Sequence, residues 1–180
     1  MVALKPRRTE AMLTRDGIRL VADIWEPEGD GPFPVLLMRQ AYGRKIGTSL
    51  CYAPPEWYAR HGYIVVMQDV RGRGASGGEF VLFEHEAEDG ADTIAWAASL
   101  PRSNGRVGMF GFSFQGSNQL LAAGEKPEAL KAIALALIGR QLDPDWAFEY
   151  GVLPLRVTLA RPLPPPPSSP LLQRVHASHY

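Results

Sequence analysis

Short apolar segments alternate with helical stripes between residues 17 and 137, and this alternation constrains the fold more than any other feature of the sequence. Gly17 to Glu26 alternates apolar with polar residues, as a half-buried strand does, and Glu86 to Leu100 carries apolar residues at helical spacing. The pattern predicts strands over 17–26, 35–38, 63–68 and 106–110, helices over 55–61, 86–100 and 114–124, and a strand or buried segment over 130–137. Apolar strands separated by helices are typical of a mostly parallel sheet with helices on both faces. The predicted fold class is therefore α/β.

The charge balance and the single cysteine narrow the class of protein. Acidic and basic residues number 19 each, so the formal net charge is zero and favours neither a nucleic acid nor an anionic membrane as partner. The lone Cys51 cannot form an internal disulfide, which suits a reducing compartment. No apolar segment follows the basic N-terminus as in a signal peptide, and the longest apolar run, Ala132 to Ile138, is too short to cross a bilayer. We expect a soluble, cytoplasmic protein.

The composition changes near residue 150. Every aspartate and glutamate lies in residues 1–150, whereas residues 151–180 have none and include the run Pro164 to Pro167. Such a segment cannot continue a helix or join the interior of a sheet, so we predict a folded domain over 1–150 and a proline-rich, disordered tail over 151–180. The abrupt loss of acidic residues suggests the hypothesis of an altered reading frame or a premature end.

One candidate catalytic feature is a serine between a predicted strand and a predicted helix. The strand ends at Phe110, and the segment Gly111 to Gly116 (GFSFQG) leads directly into the helix. A nucleophilic serine on such a strand-to-helix turn has its hydroxyl exposed above the sheet, and the start of the helix supplies N–H donors for a developing oxyanion. The spacing is G-x-S-x-x-G, one residue longer than the common motif. The alternative is an ordinary serine at a helix N-cap; the strand-turn-helix context favours Ser113 as a nucleophile.

Two other motifs match in letters but not in context. Gly74 to Gly78 fits G-x-S-x-G, and Gly72 to Gly77 fits the dinucleotide fingerprint G-x-G-x-x-G. Neither opens an apolar-periodic helix, because Glu79 to Phe83 follows instead. A glycine-rich loop is the better interpretation of both.

Several stretches, in order, resemble the cocaine esterase / X-Pro dipeptidyl-peptidase-like hydrolases, a family of α/β-hydrolases. They are Asp16 to Leu20 with Ala22 and Asp23, Met38 to Arg44, Gln68 to Gly74 with Ser76 and Gly77, Glu86, Asp89, Gly90, Asp92, Thr93 and Trp96, and Asn104 to Gly108 leading to Ser113. The resemblance covers about residues 14–150. It implies a truncated α/β-hydrolase domain over 1–150.

The resemblance also implies roles for individual residues. Ser113 matches the nucleophile, the backbone N–H of Phe114 one oxyanion donor, and the Tyr42 hydroxyl the second donor. Trp146 lies where relatives place an aromatic residue near the acyl pocket. The implied reaction is cleavage of ester or amide bonds, including X-Pro dipeptidyl bonds, through an acyl-enzyme, with a small-molecule or peptide acyl substrate and neither a cofactor nor a metal.

The histidine and acid of a triad are not evident. In α/β-hydrolases both follow the serine. Of the four histidines, His61 and His85 precede Ser113, whereas His176 and His179 lie in the proline-rich tail. Asp143 and Asp145 follow the last predicted strand and could orient a tail histidine, whereas Asp69 is interpreted as a charged turn residue beside Arg71 and Arg73. Glu84-His85-Glu86 is not the zinc-binding pattern H-E-x-x-H.

Two functions therefore stay open. The first is a serine hydrolase that acts through Ser113; the alternative is a catalytically incomplete fragment or a non-catalytic binding remnant of such an enzyme. We also expect self-association through the strand over 130–137, because an exposed apolar sheet edge favours pairing between molecules.

Overall fold

The computed structural model describes residues 1–45 and 52–138, which form six strands and three helices. The strands are β1 (Arg8–Leu13), β2 (Arg19–Trp25), β3 (Phe33–Gln40), β4 (Ile64–Asp69), β5 (Ser103–Phe112) and β6 (Leu130–Ala136). The helices are α1 (Pro55–Arg60), α2 (Glu86–Ala98) and α3 (Phe114–Gly124). Each element predicted from the sequence is present, and α3 has the predicted bounds.

The strands form one sheet in the order β1-β2-β4-β3-β5-β6. Strands β4, β3, β5 and β6 run parallel to one another, β2 pairs antiparallel with β4, and β1 pairs antiparallel with β2. The mostly parallel sheet is therefore confirmed. Strand β1 was not predicted, because the apolar residues of its short sequence RTEAML are consecutive and do not alternate with polar ones, and its pairing with β2 identifies it.

Helices cover both faces of the sheet, as predicted. Successive residues of a strand point to opposite faces, and in β3 Leu37 packs in one buried cluster and Met38 in the other. The first cluster includes Ile94 of α2 and Ala122 of α3. The second includes Ala59 of α1. Helices α2 and α3 therefore lie on one face and α1 on the other.

Strand β6 lies at one edge of the described sheet. It pairs in parallel with β5, and Met109 lies opposite Ile133. The sequence allowed a strand or a buried segment here; the structure has a strand, and Ile133 and Leu135 are each 37% exposed. The expected self-association stays a prediction.

The parallel strands bring two distant parts of the sequence to the same edge of the sheet. The register aligns Leu37 of β3 with Met109 of β5, so both strands end on the same side. The segment after β3 contains Tyr42, and the turn after β5 contains Ser113. The carboxyl edge of parallel strands is where α/β folds place their ligand sites.

Some predicted features lie outside the described residues. They are Trp146, Asp143, Asp145, His176, His179 and the tail over 151–180. Within residues 1–45 and 52–138, no helix is long and apolar enough to span a membrane.

Candidate active site

Ser113 occupies a tight turn between β5 and α3. Its backbone has φ +56° and ψ −123°, in a region that L-residues seldom adopt. Its N–H donates to the Ala136 carbonyl at 2.9 Å, and its own carbonyl accepts from Gly116 N–H at 2.9 Å and from Ser117 N–H at 3.0 Å. An ordinary N-cap serine has an extended backbone and accepts an N–H of the first turn with its side chain. Ser113 does neither, so its hydroxyl is not used as a helix cap.

Two glycines make room for this turn and explain the G-x-S-x-x-G spacing. Gly111 has φ +149°, and a Cβ there would lie 2.4 Å from Gln115 Cβ. A Cβ on Gly116 would lie 2.3 Å from Ile138 Cγ2 and 3.3 Å from the Ala136 carbonyl oxygen. Because the first turn of α3 packs so closely against β5 and the end of β6, glycine is required two residues before the serine and three residues after it.

The N-terminus of α3 supplies donors next to the serine. Phe114 is the first residue of the helix, and the N–H groups of a first turn have no acceptor within their own helix. The helix dipole adds partial positive charge at the same end. A negative oxygen that forms next to Ser113 would therefore meet an N–H group that is already oriented.

Tyr42 lies against this end of α3. Its ring is 49% exposed and contacts the Phe114 ring edge-to-face, with ring centroids 6.4 Å apart and an interplanar angle of 73°. The segment that carries Tyr42 thus lies beside the turn that carries Ser113.

Two further aromatic residues, which sequence reasoning missed, complete the surroundings of Phe114. Phe83 stacks on the Phe114 ring at 5.3 Å, and Phe80 lies at 6.1 Å. The Phe114 side chain is 5% exposed as a result. The aromatic cluster of Tyr42, Phe80, Phe83 and Phe114 fixes the first residue of α3. The one sequence signal for this cluster is the pair of phenylalanines, Phe80 and Phe83, that follows the glycine-rich loop.

The glycine-rich loop has a structural role, as predicted. Ser76 Oγ donates to the Asp69 carbonyl at 2.7 Å and accepts from Val21 N–H at 2.9 Å, so this serine is tied to the sheet. Gly74 has φ +57°, and a Cβ there would lie 2.1 Å from Asp69 Oδ2. No helix begins until Glu86, so the phosphate-binding geometry of a dinucleotide fingerprint is not formed.

Asp69 holds the segment that carries Tyr42. It is fully buried at the end of β4, accepts from Arg44 N–H at 2.7 Å and from Ala75 N–H at 3.1 Å, and forms an ion pair with the Arg44 guanidinium. The sequence placed it beside Arg71 and Arg73, but its partner is Arg44, because the loop after β3 folds over the end of β4. Asp69 therefore links the glycine-rich loop to the segment two residues after Tyr42.

Buried charges below the site are a second feature that the sequence did not indicate. Arg39 is fully buried; its Nη1 donates to Glu86 Oε2 at 2.6 Å and its Nε to Gln68 Oε1 at 3.0 Å. Burial raises the pKa of the Glu86 carboxyl, although the Arg39 charge opposes the rise. Asp89, one turn further along α2, accepts from Arg71 at 2.6 Å. The first pair connects β3 to α2, and the second connects the loop after β4 to the same helix.

The two described histidines lie at helix ends. His61 ends α1, where Nδ1 lies 2.7 Å from the Trp57 carbonyl oxygen and the ring stacks on Trp57. His85 occupies the N-cap position of α2. Within residues 1–45 and 52–138, no hydrogen bond joins either histidine to Ser113.

Comparison with known proteins places this geometry in a class. A family model described as X-Pro dipeptidyl-peptidase (S15 family) matches residues 16–161. The cocaine esterase of a Rhodococcus strain is 41% identical over 130 residues, which are 71% of this chain and 23% of that protein. A putative serine esterase of Mycobacterium bovis is 30% identical over 160 residues, which are 77% of this chain and 25% of that protein.

Solved structures similar to this chain are also hydrolases of the esterase and peptidase types. An α-amino acid ester hydrolase superposes with a TM-score of 0.65 at 30% identity, covering 82% of this chain and 28% of that one. An aminopeptidase from a marine-sediment Thaumarchaeota archaeon gives 0.66 at 30% identity, covering 82% and 28% of the two chains. The chain spans about a quarter of the length of the curated relatives it matches.

The sheet, its covering helices and these neighbours define an α/β-hydrolase fold, of which the chain carries a part. The chain belongs to the X-Pro dipeptidyl-peptidase (S15) family, whose relatives here are esterase- and peptidase-type hydrolases.

Proposed function

We propose that the protein is a serine hydrolase that cleaves ester or amide bonds through an acyl-enzyme on Ser113. One observation carries the proposal: Ser113 has a strained backbone on a strand-to-helix turn, and its hydroxyl makes no helix cap. Strain of this kind persists where the surrounding structure enforces it, and it is common at catalytic positions. The family supports a hydrolase of the esterase or peptidase type.

In the proposed reaction, Ser113 Oγ attacks the substrate carbonyl carbon, and the carbonyl oxygen becomes an oxyanion. The Phe114 N–H and the Tyr42 hydroxyl stabilise that oxyanion, and its collapse expels the alcohol or amine. Water then releases the acid from the acyl-enzyme. The substrate is a small-molecule or peptide acyl compound, and X-Pro dipeptides are one candidate class because the family model bears that description.

The reaction also requires a base that takes the serine proton and a carboxylate that orients the base. Asp143 or Asp145 with His176 or His179 is one candidate set. The alternative function, a catalytically incomplete or binding-only protein, applies if no base reaches Ser113.

A fluorophosphonate probe tests the role of Ser113. The protein is incubated with the probe, and the labelled residue is mapped by mass spectrometry. We expect the label on Ser113 and its loss in Ser113→Ala. Ser76→Ala is the matched control, since Ser76 lies in the G-x-S-x-G match but is hydrogen-bonded to the sheet. Labelling that survives Ser113→Ala would refute the nucleophile assignment, and no labelling above that of the heat-denatured protein would support the alternative function, in which no base reaches Ser113.

A further inference from the structure

The face of α3 that packs on the sheet is polar in its first two turns. Gln115, Asn118 and Gln119 are at most 1% exposed and recur at spacings of three and four residues, so they lie on one side of the helix. Asn118 Nδ2 donates to the Arg39 carbonyl at 3.1 Å. Gln119 Nε2 donates to the Gly111 carbonyl at 3.4 Å, and its Oε1 accepts from Ala134 N–H at 3.1 Å. Each amide therefore connects the helix to a particular strand.

Gln115 makes the connection that matters for the site. Its Oε1 accepts from Phe112 N–H at 3.3 Å, inside the turn that holds Ser113. Its Nε2 donates to Gln40 Oε1 at 2.7 Å, and both side chains are buried. One side chain thus bonds to the turn after β5 and to the last residue of β3.

Gln40 is the last residue before Tyr42 that belongs to the sheet. It ends β3, and its carbonyl accepts from Val70 N–H at 2.9 Å. Tyr42 follows two residues later and is held from the other side by the Arg44–Asp69 pair. A shift of Gln40 relative to the turn would therefore change where the Tyr42 ring meets Phe114.

We propose that Gln40 and Gln115 are positioning residues: their hydrogen bond sets the place of Tyr42 relative to the Ser113 turn. In the proposed function this bond fixes the distance between the two oxyanion donors, the Tyr42 hydroxyl and the Phe114 N–H, and in that respect the inference rests on the proposed function. Donors aimed at an oxyanion lose effect when displaced by about 1 Å. Gln119 bonds to Gly111 of β5, to Ala134 of β6 and to the Gln115 carbonyl, so its described hydrogen bonds do not connect the Ser113 turn to Gln40.

The position of Tyr42 can be measured without any reaction. The full chain is prepared with 3-fluorotyrosine, and the Tyr42 signal in the ¹⁹F NMR spectrum is assigned by its loss in Tyr42→Phe. We expect Gln115→Leu and Gln40→Leu each to shift or broaden that signal by more than its line width. The double variant should add nothing, because either substitution already breaks the bond. Gln119→Leu, an equally buried glutamine on the same helix, should leave the signal in place.

Circular dichroism identifies the variants that fold, and Gln40→Leu decides the test if Gln115→Leu does not fold. An unmoved Tyr42 signal in the folded variants would overturn the proposal. An equal shift in Gln119→Leu would overturn it as well, because general loosening of α3 would then explain the result.

The rate of fluorophosphonate labelling separates this inference from the proposed function. We expect Gln115→Leu to slow labelling of Ser113 about 10-fold or more, and by less than about 2-fold when Tyr42 is already phenylalanine. Equal slowing in both backgrounds would mean that Gln115 does not act through Tyr42 and would overturn the proposal. Unchanged labelling in Tyr42→Phe removes Tyr42 from the oxyanion site; the NMR result then decides the positioning role alone.

Discussion

The Arg44 backbone N–H donates to the Asp69 carboxylate at 2.7 Å, and the Arg44 guanidinium forms an ion pair with the same carboxylate. These two contacts join the loop after β3 to the end of β4. The Asp69 side chain is buried, and Asp23 Oδ1 lies 3.1 Å from Arg44 Nε on the other side of the guanidinium. The segment that carries Tyr42 is therefore held by the ion pairs of Arg44 with Asp23 and Asp69.

Asp69→Ala should lower the free energy of unfolding by about 1–3 kcal/mol. The substitution removes the acceptor of the half-buried Arg44 N–H and guanidinium, and a buried donor without its partner costs about this much, whereas the N–H of the exposed Ala75 can bond to water. Asp23 still neutralises part of the Arg44 charge, which limits the loss. Urea unfolding followed by circular dichroism measures the change. Glu79→Ala, at an exposed acid in the loop that follows, is the control; an equal loss there would contradict the explanation.

Gly111→Ala and Gly124→Ala should have opposite effects. At Gly111 a methyl group would overlap Gln115 Cβ at 2.4 Å and strain a backbone with φ +149°, which should cost about 1–3 kcal/mol. At Gly124, the last residue of α3, nothing lies within 4 Å of an added Cβ, so alanine should stabilise by about 0.4–1 kcal/mol. Thermal or urea unfolding tests both, and two changes of the same sign would refute the packing argument.

Tyr42→Phe tests the second oxyanion donor in a form of the protein that turns over an ester. Loss of one such donor should cost about 2.7–4 kcal/mol of transition-state stabilisation, which appears in kcat more than in KM. The phenylalanine ring can keep the edge-to-face contact with Phe114, so the unfolding free energy should hardly change. An unchanged kcat would remove Tyr42 from the site.

Stability should depend on Asp16 in acid. Hydrogen bonds from Arg71, and then from Thr14, hold the pKa of the Asp16 carboxyl well below its ordinary value. The folded-state pKa is depressed, so the contribution is present above the unfolded pKa of about 3.9 and is lost as the pH falls further. The difference in unfolding free energy between the wild type and Asp16→Asn, measured with urea at pH 7 and near pH 3, should narrow at the lower pH. If the difference in unfolding free energy instead widens at the lower pH, the pKa of Asp16 is not depressed in the folded state. Asp30→Asn, at an exposed aspartate outside this pair, is the control.

If no base reaches Ser113, as in the alternative function, the 180-residue chain should hydrolyse an activated ester no faster than Ser113→Ala. A serine hydroxyl is a weak nucleophile without a positioned base, and loss of the histidine costs a factor on the order of 10⁶ in the protease subtilisin. Within residues 1–45 and 52–138, no hydrogen bond joins a histidine to Ser113. Steady-state turnover of a p-nitrophenyl ester measures this. Rapid turnover that depends on Ser113 would instead support a triad that uses a tail histidine.

Sequence periodicity predicted the parts of the fold whose signal is local. The bounds of α3 follow from the glycine turn before it, and β4 follows from an apolar run that is buried along its whole length. The buried polar residues around the site could not be predicted from such local signals. Arg39 and Glu86 each look like surface residues in the sequence, because the partner that makes their burial tolerable lies on another element.

The amide face of α3 escaped prediction for the same reason. Gln115 and Asn118 are polar, so a helical pattern assigns them to solvent, whereas their acceptors lie on β3. In contrast, the strand-to-helix turn at Ser113 was predicted, because its signal, glycines between a strand and a helix, lies within six consecutive residues.

The pairing of β3 with β5 has a consequence for how the protein folds. These neighbours in the sheet are separated in the sequence by α1, β4 and α2. Their pairing therefore closes a long loop, and the chain entropy is lost before the contacts between the strands form. Long-range parallel pairing is slow compared with helix formation. Helix α3 can therefore form early, while Tyr42 and Ser113 come together only when the centre of the sheet has assembled.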